Sequence, residues 1–495
     1  MPTTVVIFFF LVVSVFFRYN YQNMEISWWE SHIPALAVIA VLLSVFLFYK
    51  RYDTLRKEVF ASNMLALSMV GVFGIFIQDV TISSIYAMCI SLSMPAIIYF
   101  IDNENKYIRI FLVVVFAVCF IAVARSLSRT GIIAMSLSGI YLLHRIFMLR
   151  KRTTVAICMV LFTLLLFSMF YIKRDSSDGR IFILENTARM IKEKPLGWGA
   201  GGFEANYMLV QAEYFKNNTD EEVAMLADDI KHPLNEYMYI AVNYGVHVTL
   251  LLAGIIVFAI YRLYKDASKE GRCCMHFILL LLLWCTFSCP LSVSFTTVML
   301  LAFVPAFGSI GRLFSRRAVR IASIAMLLPS LAIEAKSLND DRVWNKAIQE
   351  YKYGDKANAM KIFDKYKEYS IDKGAMLFSL ATIKYNNKEY KECIKTCNEC
   401  KNHIASYDLE FMLGNSYLFT GEHQKALEHF SVAHYMCPNR FIPLYKQFKI
   451  YKEIGDTANM KSIGNEILAK KIKIPSHKID VIINNVEYEL MNIVK

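Results

Sequence analysis

Residues 130–152 read TGIIAMSLSGIYLLHRIFMLRKR: an apolar block over 130–148 whose end and following link carry Arg145, Arg150, Lys151 and Arg152. The block is close to the roughly 20 residues that a helix needs to cross the hydrocarbon core of a bilayer. Cationic links are held on the cytoplasmic side. The stretch therefore predicts a membrane helix that runs inward and ends in the cytoplasm.

Similar apolar blocks lie at 3–17, 32–49, 63–77, 82–101, 107–124, 153–172, 234–261, 273–289, 294–310 and 318–335, which makes about eleven predicted spans. Hydrophobic residues are 56% of the 495-residue chain and charged residues 19%, more apolar and less charged than a soluble domain. The net charge of +12 would suggest nucleic-acid binding in a soluble protein, but no aromatic-basic recognition motif accompanies it. No basic segment precedes Val5–Phe17 and no small-residue cleavage site follows, so the first block is predicted as a span rather than a signal peptide.

The charge of the links orients the predicted spans. Basic residues fill alternate links: Lys50, Arg51, Arg56 and Lys57; Lys106 and Arg109; Arg145 to Arg152; Arg262, Lys265, Lys269 and Arg272; and Arg312, Arg316, Arg317 and Arg320. The alternate links are poor in charge or acidic, with Asp79 after the third span and no charge after the ninth; the link after the fifth breaks the rule. This pattern places the N-terminus in the cytoplasm, and the long link 173–232 and everything after 335 on the outer side. The fifth link is predicted to lie outside, yet it holds Arg125 and Arg129 in Ala124-Arg-Ser-Leu-Ser-Arg-Thr-Gly131. Arginine at a span end can snorkel to the surface. Two guanidiniums on the outer side gain nothing from topology, however, and an anion there would offset their cost.

After 335 the chain turns polar and helical in rhythm. Gly354, Asn387, Gly421 and Gly455 recur at about the 34-residue period of tetratricopeptide repeats. The clearest unit is Leu413-Gly414, Tyr417, Gly421, Ala426, Phe430, Ala433 and Pro438. Trp344, Tyr351, Gly354, Ala359 and Phe363 resemble a preceding unit, and Tyr451 and Gly455 a following one. The division predicted is a membrane domain at 1–335 and an α-solenoid at 336–495, an all-α chain throughout. Such a solenoid presents a concave surface for a partner. Cys393, Cys397 and Cys400 fall at its core positions, where a thiol packs as a small hydrophobe.

The link 173–232 is far longer than a connecting turn needs. It contains Asp178-Gly179-Arg180, a helical stretch over 181–192, Pro195-Leu-Gly-Trp-Gly-Ala-Gly-Gly202, an amphipathic stretch from Tyr207 to Tyr214, and His232-Pro-Leu-Asn-Glu236. Gly197, Gly199 and Gly202 formally satisfy G-x-G-x-x-G. No strand precedes them, so the dinucleotide reading is rejected in favour of a tight turn at the membrane surface. Asp228-Asp229 is read as solvated rather than as a metal pair. Pro233 suits the first position of a helix, which would put His232 at its positive end as a neutral imidazole able to accept a proton. Glu236, one turn on, could orient it.

The ordered set Ser128-Arg129-Thr130-Gly131, Gly179-Arg180, Pro195-x-Gly197-x-Gly199 and His232-Pro-x-Asn235-Glu236, ahead of a span, resembles the O-antigen ligase family over roughly residues 30 to 310. The resemblance implies a GT-C-like glycosyltransferase of the bacterial inner membrane that uses a glycan on undecaprenyl pyrophosphate and needs no metal or other cofactor. Arg129 and Arg180 would hold the pyrophosphate and stabilise its leaving charge, and His232 would take the proton from an acceptor hydroxyl. Arg125 is the rival for the role of Arg129; Glu236, Asn235, Gly197 and Gly199 would line the substrate site. The acceptor would be the lipid A core or a protein hydroxyl. Polymerisation of glycan repeats is the enzymatic alternative, and a non-enzymatic scaffold working through its repeats is the alternative of another class. The chain has one span fewer than is usual in that family, and many members lack the repeats.

Overall fold

A computed structural model describes residues 83–101, 106–147, 156, 160, 174–265, 269–290, 316–367, 370 and 373–494, and the regular structure among them is all helical. The described residues within Met1–Ile172, Leu234–Glu236 and Leu250–Asp341 form one compact unit. Those within Lys173–Pro233, Tyr237–Thr249 and Arg342–Lys495 form a second.

In the first unit α1 (Ser83–Ile101) packs against α2 (Lys106–Arg125), α3 (Arg129–Phe147) and α9 (Lys269–Phe287). These helices stand where four apolar blocks were read. The blocks at 3–17, 32–49, 63–77 and 294–310 lie outside the described residues, as does 153–172 apart from residues 156 and 160. Buried hydroxyls tie the helices together. Ser91 Oγ accepts from Trp284 Nε1 at 2.9 Å, and Ser138 Oγ lies 3.0 Å from His276 Nε2, whose ring stacks on Tyr141 at 5.3 Å. Each serine also bonds a carbonyl of its own helix, Met88 and Ala134 respectively, so its polar atoms are satisfied inside an apolar bundle.

The block read as one span over 234–261 is two helices, α7 (Glu236–Tyr244) and α8 (Val246–Lys265). The break is at Gly245, whose φ is 92°. There the Val246 amide donates to Pro195 O at 2.9 Å, outside its own helix. Among the described residues α8 is the one helix long and apolar enough to cross a membrane, with a mean hydropathy of 2.1. Its Leu250, Leu251, Ile255 and Val257 are exposed. The last apolar block, 318–335, lies within α10 (Arg316–Tyr353), a 38-residue helix that runs on past residue 335 without interruption.

In the second unit, α4 (Arg174–Glu193), α5 (Gly202–Asn217) and α6 (Glu221–Leu226) come from the long link. The C-terminal part of the chain continues as α11 (Lys356–Tyr366), α12 (Lys373–Asn386), α13 (Tyr390–Cys400), α14 (Tyr407–Phe419), α15 (His423–Met436), α16 (Ile442–Glu453), α17 (Thr457–Ala469) and α18 (His477–Val494). The pairs α12–α13, α14–α15 and α16–α17 are antiparallel hairpins with one recurring turn. Lys388, Gly421 and Gly455 take positive φ, and the next amide in each donates five residues back: Glu389 to Lys384, Glu422 to Tyr417, Asp456 to Tyr451. The left-handed position of the first turn is thus Lys388, one residue past Asn387. Gly414 lets α14 close on α15, since a Cβ there would come within 2.8 Å of the Phe430 ring. Cys393, Cys397 and Cys400 are fully buried in this core with Leu377, Leu409 and Phe430.

The link helices are packed into the same core. α5 lies against α15, and Phe203, Tyr207, Met208 and Ala212 are buried with Tyr407, Ala433, Met436 and Cys437. Each large side chain buried this way is worth about 1.5–3 kcal/mol. Polar contacts pin the seam: Gln211 Nε2 donates to Met436 O at 2.7 Å and to Asp228 O at 3.0 Å, and Arg440 pairs with Asp228 at 3.1 Å.

Candidate active site

Arg125 and Arg129 flank one tight turn. α2 ends on Arg125 and α3 begins on Arg129. Ser126 Oγ donates to Val123 O at 2.7 Å, Leu127 turns the chain with φ 52°, and Ser128 Oγ accepts the Gly131 amide at 3.3 Å as a cap for α3. Gly131 is needed for close packing, because a Cβ would come within 2.9 Å of Val123 and 3.0 Å of Ala87. The two arginines differ electrostatically. Arg125 is exposed at a helix C-terminus, where the macrodipole favours a cation. Arg129 is half-buried at a helix N-terminus, where the dipole opposes it and favours an anion beside it.

Gly179 and Arg180 lie inside α4, which starts at or before Arg174, and do not precede the helix as the sequence predicts. Gly179 faces α6, with a Cβ position 3.7 Å from the Leu226 Cβ, and Arg180 is exposed. A glycine is tolerated in mid-helix here because tertiary contact with α6 offsets its cost.

The glycine-rich turn clasps the end of α7. The Trp198 amide donates to Val242 O at 2.7 Å and the Gly199 amide to Asn243 O at 3.0 Å, which satisfies carbonyls of the last helical turn. In return Asn243 Oδ1 accepts the Phe203 amide at 2.9 Å at the start of α5. Gly197 (φ 99°) and Gly199 (φ 93°) supply the left-handed backbone. The Gly197 amide donates to Lys194 O at 2.9 Å. Both glycine amides are therefore committed within the fold. The turn is built on α7, and α4 supports it through Trp198 Nε1 to Met190 O at 3.0 Å.

His232 stands outside any helix. Pro233 is not the first helical residue: Leu234 takes a φ of 55°, and α7 begins at Glu236. The left-handed Leu234 cannot continue a right-handed turn, so His232 lies four residues ahead of the helix, and the helix-end argument for its neutrality does not apply. Tyr239 stacks on the His232 ring with centroids 4.5 Å apart. The Tyr239 hydroxyl donates to Glu204 Oε1 at 2.6 Å. Asn235 Nδ2 donates to Thr286 O at 3.1 Å, and Glu236 is buried at the start of α7, where an acidic side chain complements the dipole.

Arg180, Gly197, Gly199 and His232 thus belong to the second unit, while Arg125, Arg129, Asn235 and Glu236 belong to the first. Asp228, read as solvated, is exposed and paired with Arg440. Asp229 is half-buried, and burial raises its carboxyl above the usual range, with Lys231 opposing. Tyr239 and Glu204 were not anticipated. They lie 35 residues apart and meet through tertiary packing, so no local motif marks them.

No curated protein matches the chain. Residues 83–253, which contain all eight candidate residues from Arg125 to Glu236, match the family model described as O-antigen ligase, and this similarity supports a glycan-transfer function of ligase type.

Proposed function

We propose that the protein transfers a glycan from undecaprenyl pyrophosphate onto a hydroxyl of an acceptor outside the bacterial inner membrane, either the lipid A core or a protein. The observation that carries this reading is the family match over 83–253, the stretch in which Arg125, Arg129, Arg180 and His232 lie. About eleven spans with a cytoplasmic N-terminus would put the link and the C-terminal hairpins, read as tetratricopeptide repeats, on that outer side, where they offer an acceptor or partner a docking surface. The apolar, exposed α8 supports the membrane reading.

The acceptor oxygen attacks the anomeric carbon and forms the new C–O bond. The bond to the pyrophosphate oxygen breaks, and its electron pair leaves with undecaprenyl pyrophosphate. The hydroxyl proton passes to His232. Planar, permanently charged guanidiniums suit the anionic pyrophosphate, which gains a further negative charge as the bond breaks, the roles proposed for Arg129 and Arg180. The helix-end argument favours Arg129 over Arg125 for this task. Gly197 and Gly199 contribute by shaping the turn that holds α7.

The test is reconstitution of the full-length protein with undecaprenyl-pyrophosphate-linked glycans from its producing cell, with release of undecaprenyl pyrophosphate and acceptor labelling as readouts. His232→Ala and Arg180→Ala are expected to lose transfer; normal rates in both would end the mechanism. Lengthened glycan chains without acceptor labelling would favour a polymerase. Protease access to the C-terminal hairpins from the cytoplasmic face would overturn the orientation.

A further inference from the structure

Glu204 stands in the first turn of α5, and its three oxygens have distinct fates. Oε1 accepts the Tyr239 hydroxyl at 2.6 Å, and the main-chain carbonyl accepts the Ala405 amide at 2.8 Å. Oε2 is buried and accepts no hydrogen bond from any described residue. A glutamine would serve as well to anchor the phenol. A buried carboxylate oxygen left without a donor is costly, so packing alone does not account for a carboxylate at this position. Tyr239 in turn lays its ring against His232, 4.5 Å between centroids and 28° between planes, and the Phe203 ring lies 6.1 Å away. A phenol bonded to a carboxylate makes a charge-assisted hydrogen bond. The electron-rich face it presents attracts a cation.

We propose that Tyr239 and Glu204 are positioning residues for His232: the carboxylate fixes the phenol, and the phenol ring fixes the plane of the imidazole and presents its face to the cation formed when His232 takes a proton. The proposal rests on the reading of His232 as the base. It gives Glu204 a second consequence. The same residue is bonded through its backbone to Ala405, in the connection between α13 and α14, so the C-terminal hairpins support the base through a short chain of contacts.

The test uses the full-length protein and the producing cell's undecaprenyl-pyrophosphate-linked glycans, with single-turnover release of undecaprenyl pyrophosphate as the readout. Tyr239→Leu is expected to lower kcat about 10- to 100-fold while the donor KM changes less than about twofold, the pattern of a misplaced reacting group. Tyr239→Phe keeps the stack and is expected to lose less, and Glu204→Gln less than Glu204→Ala. In a His232→Ala background, Tyr239→Leu and Glu204→Ala are expected to cost nothing further. Full losses from both in that background, or wild-type kcat for Tyr239→Leu beside an inactive His232→Ala, would overturn the positioning role and leave the base standing. A wild-type rate for His232→Ala would remove the base and the positioning role together. Tyr239→Phe and Glu204→Gln preserve shape, and their melting temperatures separate misfolding from misplacement.

Discussion

Gly197 lies with its α-carbon against the backbone of Gly245: a Cβ built on Gly197 would come within 2.7 Å of the Gly245 amide nitrogen and 2.8 Å of Asn243 O. The contact joins the glycine-rich turn to the break between α7 and α8. Both glycines have positive φ, and the Gly245 Cβ position is equally blocked, 2.6 Å from the Leu196 carbonyl. Neither backbone can yield without moving the other.

Gly197→Ala is therefore expected to destabilise the second unit by about 2–4 kcal/mol, the sum of a strained φ and a backbone clash. Gly199→Ala has a similar φ but open space around its Cβ, and about 1 kcal/mol is expected. Thermal unfolding of the purified variants orders the pair. Equal losses would mean that the close approach to Gly245 contributes nothing.

Arg129 and Arg125 sit three turn residues apart at opposite kinds of helix end. Arg129→Lys is expected to lower transfer about 10- to 100-fold because a point charge cannot replace a planar bidentate donor. Arg125→Ala is expected to cost less than about fivefold. Release of undecaprenyl pyrophosphate by each variant decides between them, and the reverse order would move the pyrophosphate role to Arg125.

Gly414 carries the contact between α14 and α15. Gly414→Val places two methyl groups where the Phe430 ring already stands, and a loss of about 2–4 kcal/mol is expected from overpacking. Pairing it with Phe430→Leu, which opens space, is expected to recover part of that loss. Urea unfolding followed by hydrogen exchange over α14 and α15 reads both.

Acid is expected to loosen the second unit in two stages. Burial pushes the His434 imidazole below its ordinary 6.5, with Glu466 opposing at 3.3 Å. The unfolded chain then binds the proton first, so stability present above pH 6.5 declines as the pH falls below it. Glu410 titrates lower. Burial works to raise its carboxyl, but His429 Nδ1 at 2.6 Å and Lys401 Nζ at 2.8 Å hold it below its ordinary 4.5. Its contribution is present above 4.5 and is lost as the pH falls through the lower folded value. His434→Gln is expected to flatten the first stage and leave the second. A melting curve against pH with one step, unchanged in His434→Gln, would contradict the assignment.

Helix positions were legible because apolar runs and short-range recurrence mark them in the chain. The apolar blocks at 82–101, 107–124 and 130–148 coincide with α1, α2 and α3 within a residue or so. The hairpins show in the recurrence of small residues and turns, and the buried Ala426, Phe430 and Ala433 fall where that recurrence puts core positions. The arginine, glycine and histidine motifs singled out in the sequence all lie in the stretch that matches the family model.

Other features depend on contacts between residues distant in the chain, and no local pattern records them. The break at Gly245 follows from a turn fifty residues upstream whose amides take the carbonyls of α7. The packing of the link helices with the C-terminal hairpins follows from Gln211, Phe203 and Tyr207 meeting residues more than 190 positions later. His232 stacks on Tyr239, whose hydroxyl bonds Glu204, and does not stand at a helix end. Periodicity reports which face of an element is apolar; which partner covers that face is a matter of three-dimensional fit.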